Sequence, residues 1–343
     1  MHPSPMWLRP IMLAALLLLS GCGRESLQSQ ESYVFGTRVE VLVWGAPADK
    51  GREATAAVLR EFDRLHRAYH AWQPSELTAL NDAIAAGRPH EVSAELAALI
   101  VEARALAAQG DYLFDPGIGA LVKLWGFHDE TFKPQLPDAE KLAALRQAKP
   151  SIAALKVDGR TVTSTSRSVA LDFGGYLKGV ALDRAAAIMK AHGITNALIN
   201  IGGNVLALGA KGGTPWRVGI QHPRKSEPLA TLELRDGEAI GTSGDYQRYF
   251  EMDGRRYSHL IDPRTAEPAT GTRALTVLIS PGDKAGLWSD VASKPLFVAG
   301  DGWKPLAAKL GIAQVLRVDA AGRVEVTEPL RVRLQFVAEE EKK

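Results

Sequence analysis

The stretch from Leu171 to Leu208 restricts the possible folds most, because two glycine pairs bracket one helical pattern within it. Gly174-Gly175 precedes Lys178 and the amphipathic helical pattern, and Gly202-Gly203 separates two short apolar runs that are typical of strands. Glycine backbone can approach a phosphate closely, and a lysine at a helix start adds a cation. The glycines therefore indicate either simple tight turns or a cradle for an anion. The stretch contains neither G-x-G-x-x-G nor the phosphate loop, so neither standard nucleotide-binding motif applies.

Helical patterns dominate the first half of the chain, and short alternating strands dominate the second half. Residues 33–44 predict one opening strand with a kink or bulge at Gly36-Thr37, and Asp253-Gly254 gives the strongest hairpin signal. Residues 283–299 predict a helix that breaks or kinks at Pro295. The predicted class is α+β, with helices packed on mixed, largely antiparallel sheets.

The net charge of the 343-residue chain is only +2, and its basic residues are scattered rather than clustered. A protein that binds a polyanion needs a concentrated basic surface. The composition therefore gives no reason to expect nucleic acid as a partner.

The N-terminal residues resemble a bacterial lipoprotein signal. A short apolar run, Ile11 to Leu19, leads through small residues to Cys22, the single cysteine of the chain. The prediction is a signal peptide over 1–21, a polar tether over 22–32, and one domain over 33–338. A lipid on Cys22 would then hold the protein outside the cytoplasm, on the periplasmic side of a bacterial membrane. The alternative is an ordinary secretory signal in which Cys22 is incidental.

His259 is the strongest candidate for acid–base chemistry, because it ends a predicted hairpin strand just before Asp262. A histidine within reach of a carboxylate can act as a general base near neutral pH. The alternative is a structural histidine that caps the hairpin. His70, His128 and His222 have weaker surroundings in the sequence and are predicted to be structural.

Several motifs in order along the chain resemble one known family. They are Phe35-Gly36-Thr37, Ser75-Glu76-Leu77 with Leu80-Asn81, Phe114-Asp115-Pro116, Asp172 to Asp183, Gly202-Gly203-Asn204, Ser243-Gly244-Asp245 and His259 to Thr265. Together they resemble the FAD:protein FMN transferases of the ApbE-like family, formerly called thiamine-biosynthesis lipoproteins. The resemblance covers nearly the whole chain after Cys22. It implies an ApbE-like (T-fold-like) architecture.

The resemblance also implies an activity: FMN moves from FAD to a threonine hydroxyl of an exported redox protein, and AMP is released. His259 would be the catalytic base. The residues that would contact FAD are Phe35, Trp72, Leu113, Phe114, Asp115, Asp172, Lys178 and Ile261. Phe35 stands where the family usually has methionine, and an aromatic ring there still suits a flavin face.

The family's magnesium site is where this sequence departs. Asp290 matches the carboxylate ligand and Gly175 can supply the backbone carbonyl, but Lys294 stands where the family has a hydroxyl. An ammonium group has no lone pair for a metal and repels one. Either Lys294 pairs with Asp290 and replaces the metal, or Pro295 distorts the helix so that Ser293 ligates and Lys294 points away.

This departure keeps two other functions open. One is a non-catalytic lipoprotein that binds or carries FAD. The other is an FAD pyrophosphatase, in which water replaces the threonine hydroxyl as the nucleophile.

Overall fold

The structure is a computed structural model that describes residues 26–128 and 133–337. The predicted signal peptide and most of the tether before Leu27 lie outside the described residues, as does residue 338. Among the residues described, no helix combines the length and apolar character needed to cross a bilayer.

The strands of the described residues form one large sheet and several small ones. They are β1 (Leu27–Val34), β2 (Thr37–Trp44), β3 (His90–Glu91), β4 (Leu155–Asp158), β5 (Thr161–Ser164), β6 (Ala197–Ile201), β7 (Asn204–Leu208), β8 (Trp216–Gln221), β9 (Pro228–Leu234), β10 (Ala239–Gly244), β11 (Tyr249–Met252), β12 (Arg255–Ser258), β13 (Ile261–Asp262), β14 (Glu267–Pro268), β15 (Thr272–Ile279), β16 (Val315–Asp319), β17 (Val324–Val326) and β18 (Leu334–Phe336). The large sheet has the order β1-β2-β6-β7-β10-β15-β16-β17, and its neighbouring strands are antiparallel.

The helices lie mostly between these strands in the chain. They are α1 (Ala48–Ala68), α2 (Glu76–Ala85), α3 (Ala94–Gln109), α4 (Gly119–Leu124), α5 (Ala139–Ala148), α6 (Leu177–Ala191), α7 (Ala285–Val298), α8 (Trp303–Lys309) and α9 (Glu328–Arg331), with short 3₁₀ segments at Ile152–Ala154 and Gly300–Gly302. Helices on antiparallel sheets confirm the predicted α+β class.

The large sheet is covered on both faces, which explains its apolar central strands. Helices α1, α6 and α7 pack on one face, and the small sheet β18-β9-β8 packs on the other. Along β6, Ile199 belongs to the core under the helices, whereas its neighbour Leu198 belongs to the core under the small sheet. Side chains alternate between the faces of a strand, so a strand covered on both faces must be apolar throughout.

The opening segment differs from its prediction. Residues 27–44 form the hairpin β1–β2, which turns at Phe35-Gly36, so the single kinked strand is wrong. Both turn residues have positive φ, 58° and 66°, as a two-residue type I′ hairpin turn requires. The predicted tether is also wrong from Leu27 onward. Strand β1 lies at the sheet edge with mostly exposed polar side chains, so it lacks the alternation that identifies a strand.

Helix α7 runs through Pro295 without interruption, so of the predicted break or kink the break is wrong and the kink stays a prediction. A proline removes one backbone donor from the helix, at a cost in helical stability. Pro295 is buried and close to Gly110, in a helix whose residues are nearly all buried. Tertiary packing therefore outweighs the local preference.

Helices α6 and α7 meet through a pair of glycines at their first turns. A Cβ on Gly179 would lie 2.8 Å from the carbonyl oxygen of Gly286 and 2.7 Å from the Cα of Leu287. Each helix also supplies a carboxylate to the start of the other. Asp183 of α6 accepts the N–H groups of Gly286 and Leu287 at 2.7 and 2.9 Å, and Asp290 of α7 accepts the Gly179 N–H at 2.9 Å. The two helix starts are therefore capped reciprocally.

We expect Asp183→Ala to destabilise the protein by about 1–2 kcal/mol, the usual cost of losing a helix cap. Two N–H groups at the start of α7 would lose their acceptor. Asp183→Asn keeps a side-chain carbonyl and should lose less. Urea unfolding followed by circular dichroism measures both, and an Asp183→Ala midpoint equal to that of the wild type would contradict the capping role.

Candidate functional site

A cavity of about 570 Å³ lies at one end of the large sheet. The turns β1–β2 and β6–β7 reach it, as do the end of β10 and the start of α6. The two turns touch each other: Gly202 donates its N–H to the Arg38 carbonyl, and a Cβ on Gly202 would lie 2.5 Å from Thr37 Oγ1. Gly174, Gly175 and Gly202 all line the cavity, so both glycine pairs of the stretch from Leu171 to Leu208 contribute to one site, where the β1–β2 turn joins them.

Most of the predicted site residues line this cavity. They are Phe35, Trp72, Leu113, Phe114, Asp115, Asp172, Gly175, Lys178, His259 and Ile261. Asp290 and Ser293 do not line it; they are buried in α7, with 0% and 1% of their surface exposed. Lys294, on the same helix, does reach the cavity wall.

The wall also contains polar residues for which no binding role is predicted from the sequence. They are Thr37, His66, Tyr69, His70, Gln73, His128, Thr242, Ser243, Gln247 and Arg248. His70 was predicted to be structural, and its Nδ1 does accept the N–H groups of Trp72 and Gln73, both at 3.0 Å. Its closeness to Trp72 in sequence was the available signal that it also lies at the site. His222 does not line the cavity.

The start of α6 gives the cavity its positive end. Gly174, Gly175 and Lys178 line the wall there, where helical N–H groups and the helix dipole favour an anion. Burial lowers the pKa of Lys178, and the positive charges of Lys294 and Arg248 lower it further, against the opposing effect of Asp290. A bound anion would relieve this repulsion, because it would stabilise the charged form of each of these side chains.

The carboxylates of Asp115 and Asp172 hold the loops of the wall in shape. Asp115 Oδ1 accepts the N–H groups of Gly117 and Ile152 at 2.7 and 2.8 Å. Asp172 Oδ1 accepts the Gly174 N–H at 2.8 Å, which fixes the glycine turn before α6. Burial raises the pKa of both groups. Both residues therefore position backbone around the cavity, whatever else they contact.

Aromatic side chains line another part of the cavity. The Phe35 ring lies 5.6 Å from the His66 ring, edge to face, and the Trp72 ring lies 5.9 Å from His128 in the same manner. Phe35 is held at a φ of 58°, which is rare for a bulky residue. The hairpin thus keeps a strained residue at the cavity, and such strain is commonly found at binding sites.

His259 follows β12 and lies against the loop before β11. The backbone N–H of His259 donates to the Arg248 carbonyl oxygen at 3.0 Å, and the ring Nδ1 lies 3.2 Å from the same oxygen. Because a carbonyl can only accept, Nδ1 carries the proton and Nε2 keeps the lone pair. Burial, together with the charges of Arg248 and Lys178, lowers the pKa of His259 from 6.5 to about 3. At neutral pH the ring is therefore an uncharged base.

The predicted partnership between His259 and Asp262 does not form. Asp262 accepts hydrogen bonds from the backbone and the guanidinium of Arg264, with distances of 2.8 to 3.2 Å. An arginine two residues away offers a paired geometry that the histidine cannot match. A backbone carbonyl orients His259 instead.

The Asp290 carboxylate, predicted as a metal ligand, already has donors on both oxygens. Oδ1 accepts Asn204 Nδ2 at 2.8 Å and Lys294 Nζ at 2.6 Å, and Oδ2 accepts the Gly179 N–H. The Lys294 ammonium also donates to the Asp290 carbonyl oxygen at 2.7 Å. A cation therefore already occupies the position beside Asp290.

Ser293, predicted as the substitute ligand, is engaged elsewhere. Its hydroxyl donates to the Asp290 carbonyl oxygen at 2.9 Å and lies 2.8 Å from Ser243 Oγ. Lys294 points toward Asp290, so the explanation in which it points away is wrong. These residues do not fit a divalent cation. Across 26–128 and 133–337, no group of three or more His, Cys, Asp or Glu side chains could hold a metal ion either.

A family model decides the relationship. The model of the ApbE family matches residues 35–316, which include every residue of the cavity wall. The chain belongs to the ApbE family.

Other members of the ApbE family align with most of this chain. A protein of Rhodobacter capsulatus named FAD:protein FMN transferase is 41% identical over 333 residues, which are 95% of this chain and 63% of that protein. This chain therefore spans less than two thirds of that relative's length. A protein of the same name from Vibrio cholerae is 32% identical, over 86% of this chain and 88% of its own length.

A crystal structure in the ApbE family has the same fold. The ApbE protein of Thermotoga maritima superposes with a TM-score of 0.80 at 30% identity, over 90% of this chain and 99% of that one. The ApbE-like architecture implied by the sequence motifs is thereby confirmed.

We expect His259 to make the stability of the protein sensitive to acid. Between pH 6.5 and about 3 the unfolded histidine binds a proton and the folded one does not, so stability is lost as the pH falls. His259→Gln should make this dependence shallower, by at most about 1.4 kcal/mol per pH unit.

Urea unfolding at a series of pH values measures the two slopes. His222→Gln is the control, because that ring lies away from the cavity. Equal slopes for the wild type and His259→Gln would contradict the depressed pKa.

Proposed function

We propose that this chain is an FAD:protein FMN transferase, which moves FMN from FAD to a threonine hydroxyl of an exported redox protein and releases AMP. The observation that carries the proposal is the meeting of a neutral, oriented histidine with the cationic start of α6 in one cavity of an ApbE-family fold. Relatives of this chain carry the same name, which supports the proposal.

The cavity suits FAD in size and in the arrangement of its polar groups. Its volume of about 570 Å³ lies within the usual range for pockets that bind small molecules. Phe35 and Trp72 line the cavity and supply aromatic surface for a planar flavin or adenine, and Lys178 and Lys294 supply positive charge for a diphosphate. A dinucleotide with aromatic ends and an anionic centre matches this distribution.

The reaction requires one bond to form and one to break at the phosphorus of the FMN half. The acceptor threonine Oγ forms a bond to that phosphorus, and the bond from the phosphorus to the bridging oxygen breaks, so AMP leaves with that oxygen. His259 Nε2 takes the threonine proton. Negative charge builds on the phosphoryl oxygens during this step, and nearby cations and N–H groups stabilise it.

Substrate binding and base strength are coupled in this arrangement. The positive charges of Arg248 and Lys178 hold down the pKa of His259 in the empty cavity. A bound diphosphate brings negative charge to the same cations and raises the pKa of His259 toward its ordinary value. The histidine therefore becomes a stronger base when FAD is in place.

We propose also that a lipid on Cys22 anchors the protein to the periplasmic side of a bacterial membrane. The apolar run from Ile11 to Leu19 and the small residues before Cys22 support this location. A lipid chain with a tether would place the cavity beside exported redox proteins, the proposed acceptors.

We expect the purified protein to transfer FMN to a threonine acceptor when it is incubated with FAD and envelope proteins from a strain that lacks its gene. The product is a protein band that stays fluorescent in a denaturing gel, carries FMN on threonine by peptide mass spectrometry, and forms with an equal amount of AMP. His259→Gln should bind FAD yet transfer FMN at least about a hundredfold more slowly, as expected for loss of a general base. His222→Gln serves as the matched control.

Other results would identify the alternatives. AMP with free FMN and no labelled protein would indicate a pyrophosphatase. Bound FAD with no AMP would indicate an FAD carrier. Either outcome would overturn the proposed transfer.

We expect Cys22→Ser to release the protein from the membrane while the activity of the purified protein is kept. Cys22 precedes β1 in the chain, and the described cavity wall is built from residues 35 to 298, so only the lipid attachment should be lost. Fractionation of the cell envelope and intact mass measure the change. Wild-type protein with no lipid mass on its N-terminus would contradict the anchor.

A further inference from the structure

The cation beside Asp290 lies at the cavity that would hold the diphosphate of FAD, so its role there rests on the proposed function. The Lys294 ammonium lies 2.6 Å from Asp290 Oδ1 and 2.7 Å from the Asp290 carbonyl oxygen. The carboxylate is fully buried, whereas 14% of the lysine side chain is exposed, and Lys294 lines the cavity. One side of the ammonium thus faces a buried anion, and the lysine also reaches the space in which FAD would bind.

The path of the Lys294 side chain excludes a metal ion from the predicted site. A Cβ on Gly175 would lie 2.7 Å from Lys294 Cε and 3.0 Å from its Cδ. The lysine stem therefore passes directly against Gly175 on its way to Asp290. These are the two residues from which a carbonyl and a carboxylate were predicted to bind the metal. The space between them is filled by methylene groups and the ammonium.

The remaining coordination also opposes a divalent ion. Asn204 and Gly179 hold the two carboxylate oxygens of Asp290, and Ser243 holds the Ser293 hydroxyl. A metal ion would have to displace Lys294, and its charge would repel an ammonium retained nearby. Removing the lysine from a buried carboxylate is costly unless another cation takes its place at once.

We propose that Lys294 is a built-in cation that replaces the divalent metal beside the FAD diphosphate, so that FAD binding by this protein does not require magnesium. The ammonium neutralises Asp290 and presents its exposed side to the diphosphate, next to Lys178 and the start of α6. Gly175 belongs to the same device, because a side chain there would block the lysine. The site therefore uses a cation that is covalently part of the chain in place of an exchangeable metal ion.

The test compares the wild type with Lys294→Thr and Lys294→Met. Flavin fluorescence quenching gives the FAD dissociation constant in EDTA and in excess magnesium, and electron paramagnetic resonance gives the binding of Mn²⁺. We expect the wild type to bind FAD equally in both conditions and to bind no Mn²⁺ at this site.

The two variants distinguish the effect of the Lys294 charge from the effect of the volume that its side chain fills. Threonine, one helical turn after Asp290, opens the site and supplies a hydroxyl ligand, so Lys294→Thr should bind Mn²⁺ and should bind FAD tightly only with magnesium. Methionine keeps the stem without the charge, so Lys294→Met should bind FAD about tenfold to a hundredfold more weakly with or without magnesium. Lys309→Thr is the matched control, because it removes a surface ion pair with Asp111 away from this cavity. Circular dichroism melts establish that each variant is folded.

The FAD binding results distinguish failure of the built-in cation from failure of the proposed function. FAD binding that is lost in EDTA and restored by magnesium in the wild type would overturn the built-in cation and leave the transferase proposal intact. The same holds if folded Lys294→Thr binds FAD without magnesium as well as the wild type does. A wild type that binds no FAD in either condition would overturn the proposed function and this inference together.

Discussion

The close crossing of α6 and α7 is the contact on which the site depends. Gly179 and Gly286 allow the two helix starts to approach without a side chain between them. The carboxylates of Asp183 and Asp290 then satisfy N–H groups across the crossing. Helix starts that are buried without such acceptors would be costly. The same crossing places the start of α6 at the cavity and puts Lys294 beside it.

Asp290 connects this framework to the chemistry. It caps α6, accepts the amide of Asn204 at the start of β7, and holds the Lys294 ammonium. One buried carboxylate therefore fixes a helix, a strand and a cation relative to one another. Removing any of its partners would leave a fully buried carboxylate with fewer donors, which is costly. The adjoining cavity is lined by Lys178, Arg248 and Lys294, whose positive charge a bound anion would balance.

The sequence predicted much of this arrangement because glycine turns and helical patterns are local signals. The turns at Gly174-Gly175 and Gly202-Gly203 and the Asp253-Gly254 hairpin follow from short-range rules. Strand β1 was missed because an edge strand has no buried face to impose alternation. The local signal at Pro295 left a break in α7 open, and burial of that helix excluded the break. Neither effect is visible without the neighbouring elements.

Residues that belong to recognisable motifs were placed correctly at the cavity. Hydrogen-bond partners that were inferred from spacing alone were predicted less well. Spacing placed His259 next to Asp262, yet a nearby arginine took the carboxylate and a carbonyl oriented the ring. Arg248 reaches the cavity from a segment whose sequence gives no sign of it, and His70 is marked only by its closeness to Trp72 in the chain. Strand β1 has a further consequence for reach. Its eight residues extend about 26 Å from Leu27 to the turn at the cavity. With the proposed lipid on Cys22, the chain would enter the domain at the end of β1 that is far from the cavity, which favours acceptors whose threonine stands clear of the bilayer.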